Sequence, residues 1–324
     1  MKKNILVTGG LGFIGSNFIS KIIKMNYNIV NVDCKSYASV DPDILKFNSF
    51  DNYKFYEINI NNYDDINNII KKYSFEKIIH FAAESHVDNS IEDSLIFAKT
   101  NILGTINILE SYKNLESNKK LFLHVSTDEV FGSIKTDRFN EISSYKPNSP
   151  YAASKASSDH FVRAYFETHN LPVIITNCTN NYGKYQHKEK FIPTIIKSLI
   201  SNLKIPVYGN GKNIREWINV DDHVDALIFL INNGNIGETY CIGSGEELSN
   251  IELTNKLCFI YDKITNKKNS NSLISYIKDR KGHDFRYAVD SSKINKLGWK
   301  NKYNFNDSIE NTLLWYLDNK DFLT

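Results

Sequence analysis

Short β-branched runs alternate with helical stretches through the first half of this chain, which predicts an α/β protein with a doubly wound parallel sheet and a smaller C-terminal lobe. The runs at 5–8, 29–32, 54–58, 78–82, 121–125 and 173–177 are nearly continuous in apolar or β-branched residues, as strands covered on both faces must be. Between them, apolar residues spaced three and four apart mark helices near 13–25, 64–72, 95–113 and 150–169. At 324 residues the chain is long for one compact unit, so one large and one smaller lobe are expected.

The first strand runs into Gly9-x-x-Gly12-x-x-Gly15 at the turn into the first helix. Glycines there let backbone approach a pyrophosphate, which the free N–H groups and positive end of the helix attract. After the second strand comes Asp33, followed by Cys34, Lys35 and Ser36. An acidic side chain at that point accepts hydrogen bonds from the adenosine ribose and repels a 2′-phosphate. A Rossmann-type site for NAD rather than NADP is therefore expected.

The fifth strand ends in Ser126-Thr127-Asp128-Glu129, and Tyr151-x-x-x-Lys155 opens the next strong helix. The tyrosine-lysine spacing alone says little, because it recurs at Tyr73, Tyr208 and Tyr316. Context selects Tyr151: one helical turn aligns it with Lys155, and the Ser-Thr strand end stands beside it. A hydroxyl, a tyrosine and a lysine so arranged oxidise an alcohol. Lys155 and a cationic nicotinamide are expected to lower the Tyr151 pKa by about 3 units, making it a base near neutral pH. Asp128 and Glu129 go beyond oxidation. Loss of water needs an acid for the departing hydroxyl and a base for a carbon-bound proton, and adjacent carboxyls in a dry cleft split those roles.

Past residue 178 the rhythm changes to Asn-rich segments and Gly turns. Residues 1–178 are expected to form the NAD-binding domain, with 216–243 returning to it through a helix near 220–231 and a strand near 238–242. Residues 179–215 and 244–324 are left for the second lobe, and the polar tract 262–272 reads as an exposed loop.

A formal charge of +2 with 23% charged residues leaves no basic stripe for nucleic acid or an anionic membrane. The absence of an apolar run of about 20 residues argues against a spanning helix, and a cytoplasmic protein is expected. Four scattered cysteines and eight dispersed histidines carry no metal-ligand spacing, so no metal is expected.

Five blocks, His80-Phe-Ala-Ala-Glu84-Ser85-His86-Val-Asp88, Ser126-Thr-Asp-Glu129-Val-Phe-Gly132, Ser149-Pro-Tyr151-x-x-Ser-Lys155, Thr176-Asn-Cys-x-Asn180-Asn181-Tyr-Gly183 and Asp279-Arg280-x-Gly-His283-Asp284, together resemble the dTDP-glucose 4,6-dehydratase family of extended short-chain dehydrogenases. The resemblance implies a redox-neutral cycle. Tightly held NAD oxidises sugar C4 while Tyr151 takes the hydroxyl proton beside Thr127. Glu129 removes the C5 proton, Asp128 protonates the C6 hydroxyl, and C6 is then reduced. It also implies cofactor contacts at Phe13, Ile14, Asn59, Ile60, Phe81, Ala82, Ala83, Ser85 and Thr100. Ser85, Thr127, Asn180, Asn181, Lys190, Phe191, Pro206, Val207, Tyr208, Arg215, Asn250, Arg280 and His283 would hold a nucleotide-diphosphoglucose, and the likeness implies a homodimer through 95–113 and 150–169. Asn59, Phe131 and Lys281 depart from the usual Asp, Tyr and Pro. A nucleotide-sugar 4-epimerase or decarboxylase would share the glycines, Tyr151 and Lys155 without needing both carboxyls. A non-catalytic NAD-binding Rossmann protein would need none of Thr127, Asp128, Glu129, Tyr151 and Lys155. dTDP and UDP, whose bases thymine and uracil differ by one methyl, stay open.

Overall fold

A computed structural model of the chain describes residues 2–115 and 121–323. The first part runs β1 (Lys3–Thr8), α1 (Phe13–Ile22), β2 (Tyr27–Asp33), α2 (Pro42–Leu45), β3 (Tyr53–Glu57), α3 (Tyr63–Tyr73), β4 (Lys77–His80), α4 (Val87–Glu92), α5 (Ser94–Phe97), α6 (Thr105–Lys113), β5 (Leu121–Thr127), α7 (Pro150–His169) and β6 (Val173–Cys178). The rest comprises β7 (Asn180–Tyr182), α8 (Phe191–Ser201), β8 (Ile205–Tyr208), β9 (Ile214–Asn219), α9 (Val220–Asn233), β10 (Thr239–Ile242), β11 (Glu247–Ser249), α10 (Asn250–Thr265), β12 (Ile274–Ile277), α11 (Ser292–Leu297) and α12 (Phe305–Asp318).

Seven parallel strands form the main sheet in the order β10-β6-β5-β4-β1-β2-β3. Every residue of β5 and β6 is buried, which explains why they are nearly continuous in apolar or β-branched residues. One core, holding Phe18, Ile79, Leu123 and Leu227, covers one face; another, with Ile70, Ile108, Phe122 and Val162, covers the other. Each fully buried aliphatic side chain contributes about 1.5–3 kcal/mol, so the sheet is the rigid frame for whatever its strand ends carry.

A second body is built from the sheet β11-β9-β7, the pair β12-β8, and α8, α10 and α12 around Ile195, Leu257 and Leu313. Within 216–243, β9 stays with this smaller sheet while β10 joins the edge of the large one. Between them α9 is tied to α1 by Lys21 and Asp225 at 2.8 Å.

One expectation gains detail and one needs correction. The helix expected over 95–113 is present from Ser94 to Lys113, but it carries a π-helical stretch, Ala98–Gly104, before α6, and the separate helix α4 precedes it across Asp93. Asn101 secures that stretch, donating to Ser154 Oγ at 2.8 Å and the Glu84 carbonyl at 3.0 Å. The tract 262–272 is not one loop: α10 continues to Thr265, and Asp262 accepts from the Ser270 backbone at 3.0 Å to seat a short turn, Ser270–Leu273.

Candidate active site

The strand order reverses between β1 and β4, and at the carboxyl ends of these strands lies a cavity of about 430 Å³. Gly9 turns the chain with φ +72, and a Cβ there would lie 2.5 Å from the Ala82 nitrogen, so no side chain fits between the two strand ends. Gly12 starts α1 with no side-chain cap, leaving the first helical N–H groups to face the cavity. Asp33 accepts from the backbone of Leu11 at 3.0 Å and Lys35 at 2.9 Å and from the Ser39 hydroxyl at 3.2 Å.

Gly9, Gly12, Phe13, Ile14, Gly15, Asp33, Cys34, Ser36, Asn59, Ile60, Phe81, Ala82, Ala83, Ser85 and Thr100 all line this cavity. Thr100 reaches it from the π-helical stretch, a distortion frequent at functional sites. Lys35 does not line it. Its left-handed backbone, φ +51, sends the side chain outward to Glu57 at 2.8 Å.

Thr127, Asp128 and Glu129 close the far end together with Tyr151 and Lys155. Thr127 ends β5, and its hydroxyl accepts from the Glu129 N–H at 3.3 Å, winding the next residues into a tight turn. Gly132 ends that turn at φ +79, where a Cβ would strike the Lys146 carbonyl at 2.2 Å. Ser149 caps α7 by accepting from Ala152 at 3.1 Å, and Pro150 occupies the first turn. Tyr151 and Lys155 thus enter on the first two turns of a fixed helix.

Asp128 is 2% exposed, and one of its carboxyl oxygens has no hydrogen-bond partner. Burial first, then the neighbouring Glu129 charge, pushes its pKa well above the ordinary carboxylate range. Glu129 is also raised by burial, with Arg215, Lys190 and Arg280 opposing the rise. The pair is therefore set up as one protonated acid and one ionisable base. The expected lowering of Tyr151 is not found. Burial, then Glu129, raises it well above the usual phenol range, and Lys155, itself lowered by burial, donates to the Val125 carbonyl at 2.9 Å.

Because Asp128 holds its proton more tightly folded than unfolded, it destabilises the fold as pH rises above about 4, by up to ~1.4 kcal/mol per unit. Asp128→Asn keeps the shape and removes the titration. The variant should gain stability over the parent as pH rises from about 5 to 8, read from denaturant midpoints. Equal midpoints at every pH would contradict a buried, protonated Asp128.

A second cavity of about 250 Å³ continues from the first, the two sharing Ser85, Glu129, Asn180 and Lys190. Phe191, Pro206, Tyr208, Arg215, Asn250, Arg280 and His283 line it. Lys190 donates to the Ser85 carbonyl at 2.7 Å. Arg215 is buried and makes no ion pair among the described residues; it donates to the carbonyls of Ile214 at 2.7 Å and Asp284 at 3.0 Å and lies 4.2 Å over the Tyr287 ring. Arg280 grips Asp88 through Nε at 2.5 Å and Nη2 at 2.8 Å. Two guanidiniums and an ammonium around one cavity suit an anionic ligand.

Two of the expected substrate contacts do not line the second cavity. Val207 is fully buried because alternation along β8 turns Pro206 and Tyr208 one way and Val207 the other. Asn181 lines only the first cavity, its side chain taken up by Thr179 at 3.0 Å, Cys178 at 3.5 Å and His223 at 2.9 Å.

Comparison with known proteins decides the family. A family model described as GDP-mannose 4,6 dehydratase matches residues 6–312. A probable dTDP-glucose 4,6-dehydratase of Sinorhizobium fredii is 44% identical, covering 97% of this chain and 93% of the relative. This chain belongs to the dTDP-glucose 4,6-dehydratase family. The dTDP-glucose 4,6-dehydratase of Haemophilus influenzae is 42% identical, with 98% of each chain covered. Among solved structures, the dehydratase DesIV of Streptomyces venezuelae, crystallised with NAD and TDP, superposes with a TM-score of 0.92 at 38% identity over 98% of each chain. The protein is accordingly an enzyme, a hydro-lyase, on a Rossmann-type α/β fold.

Family membership accounts for the ordered blocks, yet the cavities use residues outside the expected set. Glu84, Cys178, Gln186 and His187 line the first; Asp88, Trp217, Asp284 and Tyr287 line the second. Glu84, Asp88, Cys178 and Asp284 stood within the five blocks. Trp217 and Tyr287 are lone aromatics whose neighbours in sequence give no signal.

Proposed function

We propose that this enzyme is an NAD-dependent dTDP-glucose 4,6-dehydratase, forming the 4-keto-6-deoxyglucose nucleotide and water. One observation carries the reading: Asp128, buried beside Tyr151 in the first cavity, adjoins Glu129, which lines both cavities and so faces the cationic pocket as well. The residues present fit a dinucleotide, since unpartnered buried oxygens of Thr179, Asn180 and Gln186 line the first cavity along with the uncapped end of α1 and the Asp33 carboxyl. When bound, NAD supplies a hydride acceptor and later a hydride donor. Tyr151, with Thr127 beside it, takes the C4 hydroxyl proton. Lys155 favours the phenolate. Glu129 takes the C5 proton made acidic by the 4-keto group, and Asp128 gives its proton to the departing C6 hydroxyl. Lys190, Arg215 and Arg280 hold the diphosphate, while Phe191, Tyr208 and Asn250 bound the nucleotide end.

The names of the relatives favour dTDP over UDP, and the product is a precursor of deoxysugars of the rhamnose type. The division of labour broadly follows the two bodies: residues 1–178 with part of 216–243 chiefly hold the cofactor, joined by Thr179, Asn180 and Gln186, and the remainder chiefly holds the nucleotide end of the substrate. Exposed Leu95, Leu103 and Phe161 on the segments 95–113 and 150–169 support a homodimer through that face. Among the described residues, no helix is long and apolar enough to cross a membrane, and no cluster of three or more His, Cys, Asp or Glu could hold a metal.

The purified protein should convert dTDP-glucose to the 4-keto-6-deoxy product with no net NADH formed. NMR of the products checks this: a C4 epimer, or unchanged substrate, overturns the reading. UDP-glucose, which lacks the base methyl and carries an added 2′-hydroxyl, should be slower when assayed alongside, by about 5- to 150-fold for the methyl alone.

A further inference from the structure

Asp159 lies on α7 one turn beyond Lys155, wholly inside the protein at 2% exposure. Three donors from three elements converge on its Oδ2: the hydroxyls of Ser126 on β5 and of Tyr145 on the loop before α7, each at 2.9 Å, and the Asn177 amide on β6 at 3.2 Å. His124 sets Nε2 3.1 Å from the other oxygen. The Asn177 amide also donates to the Thr127 carbonyl at 3.1 Å, so the hub reaches the backbone that begins the Asp128–Glu129 turn.

Lys155 is 4% exposed and forms no ion pair among the described residues. A buried ammonium needs compensating charge. The groups around it are mostly neutral: His124 on β5 and His80 on β4 are held below the usual histidine range by burial, and burial pushes the Cys178 thiol on β6 up to about 12. Tyr151 and Tyr145 are raised by burial as well. That leaves Asp159, buried one helical turn along α7, and it heads the influences that oppose the loss of the lysine proton.

We propose that Asp159 is a positioning residue for the reaction, its buried charge keeping Lys155 an ammonium and its hydrogen bonds fixing Ser126 and Thr127 at the end of β5. The inference rests on reading Tyr151 and Lys155 as the oxidising pair. It explains why a carboxylate that no substrate touches is built into the centre of the protein. It also ties the oxidising and eliminating halves of the site to one anchor.

Asp159→Asn keeps most of the shape and removes the charge. With isotope-labelled lysine, NMR should show Lys155, assigned by loss of its signal in Lys155→Met, titrating about 1–3 pH units lower in the variant than in the parent. The alkaline limb of kcat should move down with it, while KM changes little. Tyr145→Phe removes a donor but keeps the anion, and its limb should stay where the parent's is. If the amide is not accommodated, Asp159→Ser, neutral and smaller, repeats the measurement. A Lys155 titration unmoved in a folded neutral variant overturns the inference, and a drop in kcat and stability with an unmoved pH limb reduces Asp159 to a packing residue. The NMR readout needs no turnover, so a parent that makes no product would count against the proposed function alone.

Discussion

Asp128→Asn combined with Glu129→Gln is expected to lower formation of the 6-deoxy product by about 10³-fold or more, while the 4-keto sugar still forms in a single turnover. Each general acid or base is worth about 10²–10⁴ in rate, and here both leave at once. Their effects should not multiply, since water loss stops when either proton transfer stops. The measurement is NMR in deuterated water. The parent should carry solvent deuterium at C5 of recovered intermediate or product; the double variant should accumulate unexchanged 4-keto sugar. The amides keep the volume of the carboxyls, and Asp128 is buried uncharged, so the fold should survive. Product at the parental rate would reduce the pair to a structural turn.

That experiment probes what was most legible in the sequence. Gly9 to Gly15 and Ser126 to Glu129 are contiguous strings at strand ends, where one turn fixes how neighbouring side chains are presented. The parallel sheet was legible for the same reason, since strands buried on both faces write themselves as nearly continuous apolar or β-branched runs. What stayed hidden depends on long-range placement. Trp217 and Tyr287 reach the second cavity from separate elements, and Arg215 finds carbonyls and a ring where a surface ion pair is the ordinary expectation. Lys35 looked like a cofactor contact because it adjoins Asp33, yet one left-handed residue turned it away. Val207 failed by strand alternation, and the tract 262–272 misled because polar composition does not say that α10 stops only at Thr265.

The electrostatic surroundings of Tyr151 were the least legible, and they lead to the second large effect. Tyr151→Phe should lower kcat by about 10²–10⁴-fold with KM nearly unchanged, because only the proton acceptor is removed. The ring keeps its edge contact with Phe97, at 6.3 Å between centroids, so denaturant midpoints should move little. Here, unlike in the carboxylate double variant, no 4-keto sugar forms and C5 acquires no deuterium; incorporation at the parental rate would remove Tyr151 from the role of base. Glu129 adds a further sign. Its charge helps hold the Tyr151 proton, second only to burial. Glu129→Gln alone should therefore let Tyr151 ionise at lower pH, moving the rising limb of ketone formation towards acid even as water loss fails. One carboxylate thus restrains the first step and drives the second, which gives a physical reason for setting the oxidising tyrosine and the eliminating base in the same dry end of the cavity.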